Sequence, residues 1–269
     1  MLYDLFGGGG AISHCAVLAK KWKTVKYNEL NRSVFEGFHT AVNGGYADEQ
    51  RWIGRKDFAR LKEHDPYVKI CYSFGNDGRT YAYNKYIEPY KKALHYAVVM
   101  RDYGPYYKLT GINLEPHFVG LDLEGRRKAM RKIAVLNIHK IRHRVYSPTT
   151  PATFGNLDHL QRLNRLQSLQ ELQKHRLHMY NGDYAAVDTS APGIIYCDIP
   201  YENTAEYSDK GFDYGRFWSW VSKQNNPVYI SSYEINRPDV KLVASIPKRG
   251  TFSSTANNLV YERVYRFIG

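Results

Sequence analysis

Runs of apolar residues and alternating segments divide the chain into recognisable elements. Ile194-Ile195-Tyr196-Cys197 is apolar throughout, as a buried strand is, and it stops abruptly at Asp198-Ile199-Pro200-Tyr201. Proline has no N–H to donate, so strand pairing ends there and the carbonyls before it are left to accept hydrogen bonds from something else. Leu2–Phe6 reads as a short strand. The turn Gly7-Gly8-Gly9-Gly10 follows it, and then apolar residues at 12, 15, 16, 18, 19 and 22, which suit a helix packed on a sheet. Further strands are expected at Thr24–Glu29 and Val228–Tyr233, and Leu259–Phe267 alternates like a final half-exposed strand. Strands and helices alternating at both ends of the chain give an α/β fold, in which ligands bind beyond the C-terminal ends of the strands.

The stretch between these two halves is longer than a connection within a sheet requires. An insertion is therefore expected, with residues 1–40 and 179–269 forming one domain and 41–178 the inserted region. Within it, Ser73–Tyr83 looks like a hairpin turning at Asn76-Asp77-Gly78, and Pro89–Val99 like a helix with proline in its first turn. Gly125–Arg144 is helix-compatible and strongly basic, with Ile133, Leu136, Ile138 and Ile141 as its apolar face. Ser147-Pro148-Thr149-Thr150-Pro151 breaks the chain. Leucines then recur at 157, 160, 163, 166, 169 and 172, a spacing of three that spirals around an α-helix instead of holding one seam. Packing inside the protein is the favoured reading of that repeat.

Composition narrows the function classes. At 269 residues and 43% hydrophobic, the chain can bury a full core. No run approaches the roughly 20 apolar residues that span a bilayer. Met1-Leu2-Tyr3-Asp4 lacks the basic start of a signal peptide, so a cytoplasmic setting without membrane attachment is expected. Cys15, Cys71 and Cys197 have neither CxxC spacing nor a paired histidine, which argues against a disulfide framework and against a metal site. The formal net charge of +12 points to a nucleic-acid partner, since Lys and Arg release counterions from a phosphate backbone. Candidate phosphate contacts are Arg126, Arg127, Lys128, Arg131, Lys132, Lys140, Arg142 and Arg144.

Candidate chemistry lies at the strand ends. Glu29 closes the second strand about 20 residues after the glycines, where nucleotide-binding α/β folds place a carboxylate on ribose hydroxyls, and it suggests an adenosine-containing cofactor. The dinucleotide pattern GxGxxG is not met, because Ile12 or Ser13 stands where its last glycine would be. Asp183, after the turn at Gly182, can accept a hydrogen bond from an adenine amino group. Asp198 and its neighbouring carbonyls beside Tyr201 suit a flat, amino-bearing substrate.

Asp4-Leu5-Phe6-Gly7-Gly8-Gly9-Gly10 resembles the acid-x-Phe-x-Gly-x-Gly motif, and Asp198-Ile199-Pro200-Tyr201 the Asp-Pro-Pro-Tyr motif, of DNA adenine-N6 methyltransferases. Their order around a basic insertion is that of the alpha class, with its Dam-like and phage-type members. The resemblance implies a Rossmann-like methyltransferase fold: a mixed, mostly parallel sheet with helices on both faces and an inserted, mainly helical target-recognition domain. It implies S-adenosyl-L-methionine as cofactor, with Asp4, Phe6, Gly8 and Gly10 at its methionine end, Glu29 on its ribose, and Asp183 and Tyr184 at its adenine. Asp198 and the Ile199 carbonyl would accept the two amino hydrogens of an adenine flipped out of double-stranded DNA, Tyr201 would stack on that base, and Pro200 would shape the loop. A cognate restriction endonuclease is a further partner that the family implies. Ile199 departs from the motif's first proline and implies a less rigid loop. The family's usual segment ahead of the glycine motif has no counterpart before Met1, which implies weaker cofactor binding. The alternatives are therefore a DNA-binding relative with reduced or no catalysis, and a protein-glutamine methyltransferase, whose loop characteristically has asparagine in place of Asp198 and no long insertion.

Overall fold

A computed structural model of the chain describes residues 1–74, 78–145, 154–200, 211–249 and 259–269. The chain forms two compact units, residues 1–43 with 169–269 and residues 44–168. In chain order the first unit opens with β1 (Leu2–Asp4), α1 (Ala11–Leu18), β2 (Val25–Glu29) and α2 (Arg32–Val42). The second unit follows, with α3 (Arg55–Leu61), α4 (Pro66–Tyr72), α5 (Glu88–His95), α6 (Gly104–Thr110), α7 (Glu115–Phe118), α8 (Leu123–Leu136), α9 (Ile138–Arg144) and α10 (Asp158–Ser168). A 3-10 turn, Leu169–Lys174, returns the chain to the first unit, which continues with β3 (Leu177–Asn181), β4 (Ile194–Cys197), α11 (Tyr214–Val221), β5 (Val228–Ser232), β6 (Val240–Arg249) and β7 (Leu259–Phe267).

The seven strands form one sheet in the order β3-β2-β1-β4-β5-β7-β6. Every pairing from β3 to β5 is parallel, and β7 runs antiparallel to both β5 and β6. This is an α/β architecture with a mixed, mostly parallel sheet, compatible with a Rossmann-like fold. The strand order reverses between β1 and β4, so the loops leaving these two neighbours diverge and open a crevice at their C-terminal ends. Placing β7 between β5 and β6 departs from the dinucleotide-binding order 3-2-1-4-5-6. It agrees with the absence of GxGxxG from the glycine turn.

Alternation along β1 assigns the two faces of the sheet. Tyr3 belongs to a buried cluster with Ile195, Cys197, Val228 and Ile230, which Phe217 and Val221 of α11 cover. Asp4 points the other way and accepts hydrogen bonds from Ser13 of α1. Helices therefore lie against both faces.

Several elements differ from their sequence expectation for identifiable reasons. The basic stretch is two helices, since α8 ends at Asn137, whose side chain bonds back to the Ile133 carbonyl. Leu136, still within α8, lies on the side away from buried Met130 and is 82% exposed, while Ile133 and Ile141 are buried. The leucines spaced by three are all buried, which fits the packing reading. A period of three suits a 3-10 helix, and α10 gives way to one at Leu169, so Leu169 and Leu172 keep one face. That turn packs on α1 and α2, which moves the return to the first unit ahead of residue 179. β3 and β6 complete the sheet without having been expected. Of the Ser73–Tyr83 hairpin, the described part is an antiparallel bridge between Ser73 and Tyr81; Gly75, Asn76 and Asp77 lie outside the described residues, as does the break at 147–151.

The second unit buries tyrosines and keeps their hydroxyls bonded. Tyr67 and Tyr72 donate to the Arg51 carbonyl at 3.0 and 2.9 Å, and Tyr81 to the Ile53 carbonyl at 2.8 Å. A directional chain of bonds ties α5 to α10. His95 Nε2–H donates to the Gln50 carbonyl (3.0 Å), so its Nδ1 accepts from His159 Nε2–H (2.9 Å), and His159 Nδ1 accepts from the Tyr83 hydroxyl (2.7 Å). With both imidazoles neutral all three contacts are satisfied, and burial in the unit is what disfavours a charge on either ring.

Burial pushes His95 down from 6.5 to about 4 and His159 well below its ordinary value. The unfolded chain then binds more protons than the folded one below about pH 6.5, so the stability held by the neutral pair is complete above that pH and is lost as pH falls toward 4. Amide protection factors in α5 and α10 should fall through this window by more than those in β1 and β4. Equal protection of α5 and α10 at pH 7 and pH 4.5 would contradict the arrangement.

Candidate active site

The C-terminal ends of β1, β2, β3, β4 and β5 supply the polar residues of one sheet edge. Asp4, the last residue of β1, is fully buried. Its Oδ2 accepts from the Ser13 N–H at 3.1 Å and from the Ser13 hydroxyl at 2.7 Å. Its Oδ1 is buried with no partner among the described residues. Burial raises the Asp4 pKa to about 6, against the lowering effect of the Ser13 bonds, and the charges of Asp198 and Glu29 raise it further. Carboxylates from three strand ends thus act on one another, and the edge is electronegative within a chain of net charge +12.

The four glycines of the turn divide by role. A Cβ on Gly7 would stand 2.1 Å from the Tyr27 ring, and one on Gly10, at φ +78°, would stand 2.0 Å from the Phe38 ring. Those two positions are closed by aromatic packing. Gly8, at φ +50°, and Gly9 face open space. Of the two glycines expected at a cofactor, Gly8 borders that space and Gly10 is buried against Phe38. The turn is fixed from β2: the Tyr27 hydroxyl donates to the Gly8 carbonyl (2.7 Å) and the Gly8 N–H donates to Glu29 Oε2 (2.9 Å).

Glu29 also accepts from the Asn31 N–H, through Oε1 at 2.7 Å. A carboxylate offers about four acceptor positions, so capacity remains on both oxygens for a pair of hydroxyls. Asn28, which drew no attention in the sequence, is buried behind it and donates to the Leu5 and Gly182 carbonyls, both at 3.0 Å. It joins the ends of β1 and β3 across β2.

Asp183 accepts from the Ala185 N–H (2.9 Å) and meets the Arg216 guanidinium at two points, 2.7 and 2.9 Å. The Arg216 bonds hold its pKa below the ordinary carboxylate value. Three accepted bonds leave Asp183 about one further acceptor position, fewer than its isolated place after Gly182 suggested. Arg216 also lies over the Tyr184 ring at 5.3 Å. Tyr184 is buried and stacked on Phe6 at 5.1 Å, so both rings are walls of the core beneath the edge.

The loop after β4 is anchored at successive residues. Asp198 is exposed and its Oδ1 accepts from the Ser231 hydroxyl of β5 at 2.6 Å. Ile199 turns inward, 4% exposed, into the cluster with Leu5 and Phe217. The Pro200 carbonyl accepts from the Tyr214 hydroxyl at 2.8 Å. The buried Ile199 side chain restrains the loop, and the Ile199 carbonyl accepts no hydrogen bond from the described residues. Tyr201 lies outside the described residues. Ser231 was legible as a polar end to an apolar strand and, with Ile230, as part of the family resemblance, whereas Tyr214 and Arg216 carried no signal.

The basic candidates of the second unit separate by burial. Arg126 is 5% exposed and donates to the Val98 and Leu121 carbonyls, and Arg127 is 8% exposed and paired with Glu124 at 2.8 Å. These two brace α8 from inside and cannot reach a phosphate, contrary to the expectation from charge alone. Lys128, Arg131, Lys132, Lys140, Arg142 and Arg144 are exposed. Among the described residues no three His, Cys, Asp or Glu side chains gather as metal ligands. A hollow of about 210 Å³ beside Trp22, Lys23 and His175 lies at the start of β2, the opposite edge of the sheet, and contains none of the carboxylates. No family model and no curated protein matches the sequence.

Because the Ser13 bonds favour the ionised form, Ser13→Ala should move the Asp4 titration upward from about 6 when followed by carboxyl carbon-13 shifts. A midpoint near 4 in the parent protein would remove the buried carboxylate from the account.

Proposed function

We propose that this protein transfers a methyl group from S-adenosyl-L-methionine to the N6 amino group of adenine in duplex DNA. The observation that carries the reading is the anchored Asp198-Ile199-Pro200 loop. Ser231 holds the carboxylate, Tyr214 holds the Pro200 carbonyl, and the Ile199 carbonyl stands between them. An amino group on a planar ring has two hydrogens, and a carboxylate next to a carbonyl supplies an acceptor for each. Holding both turns the nitrogen lone pair out of conjugation with the ring and aims it at the methyl donor. Geometry and electrostatics are what this reaction needs from its catalyst.

The residues at the neighbouring strand ends fit the cofactor. S-Adenosyl-L-methionine supplies an electrophilic methyl group on a positively charged sulfur and carries an ammonium group besides. An edge made negative by Asp4, Glu29 and Asp198 favours such a cation, and the Asp4 Oδ1 is a buried acceptor lacking a partner among the described residues. Glu29 would take the ribose hydroxyls, and the open space at Gly8 and Gly9 allows close approach to the backbone. Asp183, already held by Arg216, would offer its remaining acceptor position to the adenine amino group. The glycine turn and sheet order both argue for a mononucleoside cofactor over a dinucleotide.

The adenine must leave the base stack to reach this loop, at a cost of a few kcal/mol. Asp198 grips the amino group and is the acceptor beside it for the proton that N6 sheds as the methyl bond forms. The exposed cations of the second unit would hold the duplex through its phosphates.

Incubation with labelled S-adenosyl-L-methionine and unmethylated duplex, followed by digestion to nucleosides, should yield N6-methyladenine. Label confined to cytosine, RNA or protein would sink the reading. Asp198→Ala should lower turnover by at least about a hundredfold with duplex affinity retained. Tyr214→Phe, which frees the Pro200 carbonyl, should lower turnover by a smaller factor.

A further inference from the structure

α8 carries an exposed stripe whose apolar residues have no part in the proposed reaction. Residues 128, 131, 132, 135 and 136 follow the i, i+3, i+4, i+7, i+8 spacing that sets them on one side of a helix. On the opposite side Met130, Ile133 and Ala134 are buried, and Arg126 and Arg127 are hydrogen-bonded inside the unit. The helix cannot roll, so its outward residues are committed to whatever lies outside. Those residues are Lys128, Arg131 and Lys132, followed by Val135 at 55% and Leu136 at 82% exposure. The chain bends at Asn137, and His139 and Lys140 of α9 are exposed just beyond. Two large apolar side chains are thus held in water between cations that precede and follow them in the chain.

We infer that this stripe lies in the major groove of duplex DNA, with Arg131 and Lys132 on phosphates and Leu136, supported by Val135, against thymine C5-methyl groups; the inference rests on the proposed DNA reaction. The groove matches the stripe in charge and in width. Its rims are phosphates, its floor displays the thymine methyl as an apolar feature, and its width of about 12 Å admits a helix. A surface that only tracked phosphates would leave Leu136 in water. Two apolar residues are too narrow a face for insertion into a lipid surface, where a helix buries a broad apolar side. Every target adenine in a duplex is paired with thymine, so each site for the proposed reaction offers at least one such methyl.

Fluorescence anisotropy with the full chain tests the inference on two duplexes of one sequence, one with thymine and one with uracil at every thymine position. The parent protein should bind the thymine duplex more tightly, by roughly fourfold for each methyl that is buried. Leu136→Ala should lose this discrimination and keep the salt dependence. Arg131→Gln and Lys132→Gln should each reduce the slope of log affinity against log salt by about one while keeping the discrimination. Equal affinity of the parent for both duplexes, or undiminished discrimination by Leu136→Ala, overturns the inference. Binding to phosphatidylserine vesicles that Leu136→Ala abolishes, with duplex affinity unchanged, also overturns it by assigning the stripe to a lipid surface. Methylation of DNA without thymine discrimination removes only the groove contact, whereas absence of any duplex binding removes the proposed function as well.

Discussion

A carboxylate without access to water has to be held by its surroundings, and Asp4 is held by a single serine. That pair fixes how α1 meets β1. Ser13 gives both its backbone N–H and its hydroxyl to one oxygen, so the first turns of α1 are drawn onto the end of β1 and the glycine turn must close the distance between them. Gly7 and Gly10 pass so close to Tyr27 and Phe38 that no side chain fits, and Tyr27 and Glu29 fasten Gly8 from the next strand. The other Asp4 oxygen has no partner among the described residues. Retaining a buried charge half satisfied costs stability, and such groups concentrate where a protein binds or reacts.

The strand edge and the rest of the chain have opposite electrostatic character. Asp4, Glu29 and Asp198 repel one another at the edge, whereas the protein as a whole carries a charge of +12. Under the proposed function the two features would take different ligands: a compact cation at the edge and a polyanion on the exposed lysines and arginines. A positively charged methyl donor and a nucleic acid meet both requirements in one reaction. In the proposed reaction the loop after β4 links them, since it would offer acceptors to a base from the strand next to β1.

Much of this was legible in the sequence because it depends on local residue order. Abrupt ends of apolar runs located β1, β2, β4 and β5, and glycines followed by an acid at the next strand end located one half of the site. Contacts between distant residues were not legible. Asp183 looks available after Gly182 until Arg216, 33 positions away, takes most of its acceptor capacity. Arg126 and Arg127 are indistinguishable by charge from Lys128 and Arg131, and only the helical phase of α8 against its own core separates them. Ile199 looked like a loss of rigidity, yet its side chain is fixed in the core beside Phe217. The leucines every three residues suggested a drifting helix; Leu160, Leu163 and Leu166 are buried within the α-helix, and Leu169 and Leu172 keep one face because the helix tightens there.

The central claim is that the ends of β1, β2 and β4 form one site for a positively charged adenosyl cofactor. Titration of the isotope-labelled protein with S-adenosyl-L-methionine, followed by backbone amide shifts, tests it most directly. Saturable shifts of Gly8, Gly9, Glu29 and Asp198, lost in Glu29→Gln, are the result the account predicts. No shift at millimolar ligand, or shifts gathered around Trp22, Lys23 and His175 at the opposite edge of the sheet, would contradict it.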